Sequence, residues 1–181
     1  VFGKVNKLTY TTRFSKLMTK GFSSAYDSIG KKNFDNDGYN GDVLQTAVQY
    51  QVNNDLMVKT FVLNSQYKAD IDAGIFTDEK DYTINNKQLS TGFGMVYKSA
   101  PATVTANYQY TQLGRKYIND SGFVGGLNKY ERNEYSGRTQ FAEIFASIKM
   151  GHNFTPDRCQ AARFASLAWG ESGLQWRLAL F

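Results

Sequence analysis

Cysteine and histidine are nearly missing from this chain of 181 residues, which has one of each, Cys159 and His152. A single thiol can close no internal disulfide and form no Cys-x-x-Cys metal site. A lone imidazole beside Gly151 still needs an orienting partner and a nucleophile within reach before it can act in catalysis. The expectation is therefore no enzyme. Long apolar runs are also absent. None approaches the ~20 residues a transmembrane helix requires, which excludes a helical membrane protein but leaves open strands of ~9 to 11 residues that cross with alternating polarity. The formal charge is a modest +5, and Lys and Arg are scattered without a cluster, so no nucleic-acid partner is expected.

Aromatic residues are plentiful, with 12 Tyr and 13 Phe against only 2 Pro, a balance that suits the aromatic girdles of membrane barrels. Six runs alternate with period two and predict strands. Lys4 to Phe14 sets Leu8, Tyr10 and Phe14 against Lys7, Thr9, Thr11 and Arg13. Asp42 to Val52 sets Leu44, Val48, Tyr50 and Val52 against Gln45, Ala47, Gln49 and Gln51. Leu56 to Lys68 follows, then Lys87 to Lys98, with Leu89, Phe93, Met95 and Tyr97 on one face. Ala102 to Gln112 alternates Val104, Ala106, Tyr108 and Tyr110 with Thr and Asn, and Thr139 to Met150 carries Ala142, Ile144, Ala146 and Ile148 on one side.

The connections alternate in length. Residues 15–41, 69–86 and 113–137 read as long loops, whereas Asn53-Asn54-Asp55 and Ser99-Ala100-Pro101 read as tight turns. In antiparallel order all long loops fall at one end of the sheet. The predicted fold class is all-β, an up-and-down antiparallel sheet forming part of a transmembrane β-barrel, about six strands of a larger one, over residues 1–155. Within the first loop, Phe34-Asp35-Asn36-Asp37-Gly38-Tyr39 places two carboxylates one residue apart next to a glycine. Such a pair can face one hard cation, or can serve an ordinary Asx-turn. Asp78, Glu79 and Asp81 in the second loop read as a solvated charged stretch.

Gly21-Phe22 with Ala25, Tyr26 and Asp27, the Phe34–Tyr39 segment, two strands with a tight turn and then an acidic, Tyr-containing loop together resemble the TonB-dependent outer-membrane receptors that import cobalamin. The resemblance runs from about Phe14 to Thr155. It implies a twenty-two-stranded barrel filled by a plug, outer-membrane lipid around it, a TonB complex as energy source, a corrinoid ligand and calcium bound by extracellular loops. On this likeness Asp35 and Asp37 match calcium carboxylates, with Asp70 and Asp72 as partners from the next loop. No plug, TonB-box region or closing strand accompanies them, so the expectation is a barrel fragment. A siderophore or haem receptor of the same architecture, a porin-like barrel and an adhesin remain the alternatives.

From Pro156 to Phe181 the composition changes: both Trp residues and the only Cys lie there, and Lys, Asn and Tyr vanish. This atypical tail is expected to be either the product of a shifted reading frame or a short amphipathic helix.

Overall fold

The computed structural model describes residues 1–28, 30, 34–100, 102–120, 122 and 130–148, together with the backbone of 161–170 and 173–180. The chain is all-β. Its strands are β1 (Phe2–Val5), β2 (Leu8–Thr19), β3 (Tyr39–Gln51), β4 (Leu56–Asp70), β5 (Tyr82–Ser99), β6 (Ala102–Asn119), β7 (Glu131–Ile148), β8 (Ala161–Gly170) and β9 (Gly173–Leu180). They form one antiparallel sheet in which spatial order equals chain order. Among the described residues β1 and β9 do not touch, so the sheet is open, with two edges.

The expected up-and-down architecture is present, with corrections at the boundaries. The predicted first strand is a hairpin: Asn6 takes a left-handed φ of 52°, which an asparagine tolerates, and the chain reverses before Leu8. The three long loops shorten to 20–38, 71–81 and 120–130. Backbone pairing does not need apolar alternation, so β5 and β6 continue through polar residues to 18 residues each. The tail forms strands β8 and β9 rather than a helix. It also reverses the loop pattern, because the link before β8 is long and the link before β9 is two residues. Register is unbroken from β1 to the β6–β7 pair. The first bulge comes where β7 meets β8, between Ile144 and Phe145. His152 and Cys159 lie outside the described residues.

Strands β2 to β7 present one mainly apolar and one mainly polar face. Direct cross-strand partners put Tyr10, Val48, Thr60, Phe93, Tyr108 and Ala142 in one row of the apolar face. Along β5 this face runs from Leu89 to Tyr97, ~26 Å at ~3.3 Å per residue. Its large side chains are open to solvent: Phe93 is 53 % exposed, Ile144 56 % and Phe14 64 %. The opposite face is more crowded, and along β4 exposure alternates residue by residue from Phe61 to Lys68. There the Phe61 ring lies where a Cβ on Gly92 would stand, and the Lys59 stem covers Gly94, its direct partner. Polar pairs link neighbouring strands, including Ser90 with Thr111 at 3.0 Å, Asn107 donating to Glu143 at 2.9 Å and Arg115 donating to Asn86 at 3.1 Å.

Burial is the reverse of that in a water-soluble domain. The one buried apolar residue among those described is Ala25, in a loop, whereas Asp78 and Glu79 are buried at 8 % and 1 % exposure.

Candidate functional site

Three buried residues, Ala25, Asp78 and Glu79, belong to the place where loops 20–38 and 71–81 cross. Backbone bonds fix the crossing: Tyr26 N–H donates to Ile75 O at 2.6 Å and Asp70 N–H donates to Gly38 O at 2.9 Å. Gly21 is needed for the approach, since its φ is +63° and a Cβ there would run into the carbonyl oxygen of Asp37. At Gly38 the fit is looser, because a Cβ would come within 3.0 Å of an Asp70 carboxylate oxygen that a small side-chain movement can withdraw.

Asp72 is the hub. Its Oδ2 accepts from Ala25 N–H at 2.6 Å and from the hydroxyls of Ser23 and Ser24 at 3.0 Å each, while its Oδ1 accepts from Glu79 N–H at 2.9 Å. Asp37 Oδ2 accepts from Ser24 N–H at 2.5 Å, and Asp78 Oδ1 accepts from Asp35 N–H at 3.1 Å. In the carboxylate bonds that run between the loops, 20–38 supplies the donors and 71–81 the carboxylates, while Asp37 and Glu79 bond within their own loops. Oxygens of Asp35, Asp37 and Asp72 lie within 4.8 Å of one another, a spacing at which one ion could touch all three. Asp35 Oδ1 is enclosed and receives no hydrogen bond.

The three carboxyl groups differ in proton affinity. Burial pushes Asp35 up, reinforced by its hydrogen bond with Asp78 and by the Asp78 charge. Burial also pushes Asp37 up, beyond what its bonds from Ser24 take back, and the charge of Asp72 adds to the rise. Burial acts on Asp72 in the same sense, yet the donors from Glu79, Ala25, Ser24 and Ser23 outweigh it and hold this carboxyl below its ordinary value. The group is therefore an anion held by fixed dipoles beside two carboxyls that pay for their crowding. A hard cation relieves that crowding, and carboxylate oxygens from two segments are the ligand chemistry calcium takes.

Of the residues singled out in the sequence, the structure brings together Asp35, Asp37 and Asp72 and leaves Asp70 out. Asp70 is the last residue of β4, paired with Thr83, and its carboxylate lies against Gly38. Asp78 and Glu79 are not a solvated stretch: the Gly74–Thr77 bridge turns loop 71–81 back on itself, both residues are buried, and Asp78 is bonded to Asp35 of loop 20–38 while Glu79 is bonded to Asp72. Ser23 and Ser24 were missed altogether. The only signal for them was two adjacent hydroxyls next to the acidic segment, which shows its use only once Asp72 is seen to lie against them.

Beyond the loops, the polar face carries a trough of about 430 Å³ lined by Lys59, Phe61, Gly94, Asn107, Phe141 and Glu143. Nearer the long loops it bears two aromatic groups, Tyr39 stacked on Tyr67 at 5.4 Å and Tyr117 edge-on to Tyr135 at 5.9 Å. No protein-family model, curated protein or solved structure matches the chain.

Proposed function

We propose that this chain is part of an outer-membrane β-barrel receptor of the TonB-dependent kind, which takes up a scarce small molecule, a corrinoid, through loops ordered by calcium. The observation that carries the reading is the meeting of Asp35, Asp37 and Asp72, from two long loops at one end of an up-and-down sheet. An orphaned oxygen on Asp35 and hard oxygen donors throughout fit calcium, which these three residues would hold. Bound there, calcium supplies charge that lets two acidic loops close on each other.

The rest of the sheet supports a membrane setting. An apolar face ~26 Å long on strands tilted by ~40° covers most of the ~25 Å lipid band of such barrels. Water is a poor cover for it, since contiguous exposed apolar patches beyond a few hundred Å² are rare on soluble monomers. The opposite face, with Gln45, Gln49, Ser90, Asn107 and Gln109, suits a wet interior. Tyr39, Tyr67, Tyr117 and Tyr135 stand on that face near the loops, where a large, partly apolar ligand entering from that end would meet them. Ligand passage requires no bond chemistry, so the role is binding and transport rather than catalysis.

The test is calorimetric titration of calcium into the chain, with Asp35→Asn and Asp37→Asn as variants, followed by cobalamin binding in calcium and in chelator. Calcium binding that drops at least tenfold in each variant, with cobalamin held more tightly in calcium, is expected. Equal cobalamin binding in both buffers removes the corrinoid reading, and absence of calcium binding removes the metal.

A further inference from the structure

Four of the six strands β2 to β7 carry an unexpected lysine on the apolar face, just past its apolar part and toward the long loops. Phe14, Leu44, Asn64, Leu89 and Gln112 form one cross-strand row at the edge of the apolar band. The next row toward the loops is Lys16, Asp42, Gln66, Lys87, Gly114 and Ser136, and the one after it is Met18, Asn40, Lys68, Asn85, Lys116 and Glu134. Arg138 ends the first row, opposite Gln112. Lysine therefore recurs on β2, β4, β5 and β6 within two adjacent rows.

The two acids in these rows are already engaged. Asp42 accepts from Gln66 at 3.2 Å, and Glu134 pairs with Lys116 at 3.1 Å and with Arg132 at 2.6 Å. Among the described residues Lys16, Lys68, Lys87 and Arg138 form no ion pair. Two shallow grooves open between these side chains. One, of about 230 Å³, is lined by Lys16, Lys68 and Lys87, and the other, of about 550 Å³, by Lys87, Lys116 and Gly114. At Gly114 a Cβ would meet nothing within 4 Å, so the second groove has room at its floor.

A surface with apolar side chains below and unpaired ammonium groups above matches one kind of partner, an amphiphile with acyl chains and a negatively charged head. We infer that the grooves around Lys87 bind the phosphate-bearing headgroups of anionic membrane lipids, with Lys16, Lys68 and Lys87 as the principal cations and Phe14, Leu44 and Leu89 against the first carbons of the chains. The inference rests on the membrane-spanning reading given above. It adds that the surrounding leaflet at the loop end is held by charge and is selected for headgroup. Lysines at this level attract anionic lipid by interactions that salt weakens.

The experiment refolds the full chain from urea into vesicles of phosphatidylcholine, alone or mixed with phosphatidylglycerol of the same chain length, and compares insertion by the two. The wild type should favour the anionic vesicles, and the triple variant Lys16→Gln, Lys68→Gln, Lys87→Gln should lose that preference by on the order of thirtyfold at low salt. Insertion of the triple variant into pure phosphatidylcholine should equal that of the wild type, which shows that it still folds. Arg13→Gln with Lys59→Gln removes two charges from the opposite face and should leave the preference intact. An unchanged preference in the triple variant, or the same loss in the opposite-face variant, overturns the inference while the barrel reading stands. Failure of the wild type to enter either kind of vesicle overturns both.

Discussion

The loop crossing and the apolar face of the strands are built on opposite plans. At the crossing, carboxylates and hydroxyls are enclosed and bonded, with Ala25 as the sole buried apolar residue among those described. Along β2 to β7, Phe14, Leu44, Val62, Phe93, Tyr108 and Ile144 are exposed. In a water-soluble domain the apolar set would be inside and the acids outside. The difference teaches that neither region is finished by the chain itself. On the reading proposed above, positive charge completes the one and an apolar medium the other, and each can be tested by supplying or withholding what completes it.

The largest effect is expected at the hub. Asp72→Ala removes the acceptor for Ala25, Glu79, Ser23 and Ser24, takes the carboxylate from the Glu79 N–H and leaves the Ala25 N–H only the Ser23 hydroxyl, a loss of about 4 kcal/mol for the loop closure. Amide hydrogen exchange at Ala25 and Glu79 should accelerate by at least a hundredfold, with strand amides at Val48 or Val62 unchanged. If the strands loosen equally, the two regions are not independent.

A smaller effect is expected on the other side of the comparison. Phe93→Lys places a charge in the middle of the apolar face and should cost about 2–4 kcal/mol in a bilayer, read from urea titrations of the chain refolded into vesicles. Calcium binding at the loops should be unaffected. Wild-type stability in this variant would mean that the apolar face does not meet lipid.

The smallest effect follows from proton affinity. Asp35 and Asp37 hold protons more strongly in the folded loops than in the unfolded chain, so their contribution to closure is complete below the ordinary carboxylate value of 3.8 and is lost as pH rises through their raised values. Asp72 behaves oppositely: its contribution is present above 3.8 and is lost as pH falls through its lowered value. Without divalent cations, proteolytic nicking of residues 20–38 should be faster at about pH 7 than at about pH 5, where raised carboxyls keep more of their protons. Calcium should abolish that difference by taking the protons' place. A pH difference that survives calcium would place the cation elsewhere.

Much of the sheet was legible in the sequence because strand faces follow a period of two. Leu89, Phe93, Met95 and Tyr97 share the face that their spacing predicted, as do Val104, Ala106, Tyr108 and Tyr110. The strand ends were not legible. Tyr82 to Asn86 and Leu113 to Asn119 keep pairing through polar residues, and hydrogen-bonded backbone leaves no mark on side-chain polarity. The Asn6 turn was hidden inside an alternating run that happened to continue across it. At the site, the Asp35 and Asp37 pair was visible as a local motif, and Asp72 joined it through the resemblance. Burial of Asp78 and Glu79 was not visible, because it depends on a contact between loops more than forty positions apart. In the tail, the change of composition is plain, but small and aromatic residues give no reliable period, so strands β8 and β9 are not legible there and a short helix is expected instead.

Since spatial order equals chain order, every strand touches only the strands before and after it. The sheet therefore has no keystone. A hairpin can be duplicated, deleted or exchanged as a unit, and the neighbours meet across the gap with the same up-and-down alternation. Sheets assembled on such a plan can change width by gaining or losing pairs of strands, and a loop pair such as 20–38 with 71–81 can travel with its own four strands β2 to β5 as a portable cassette.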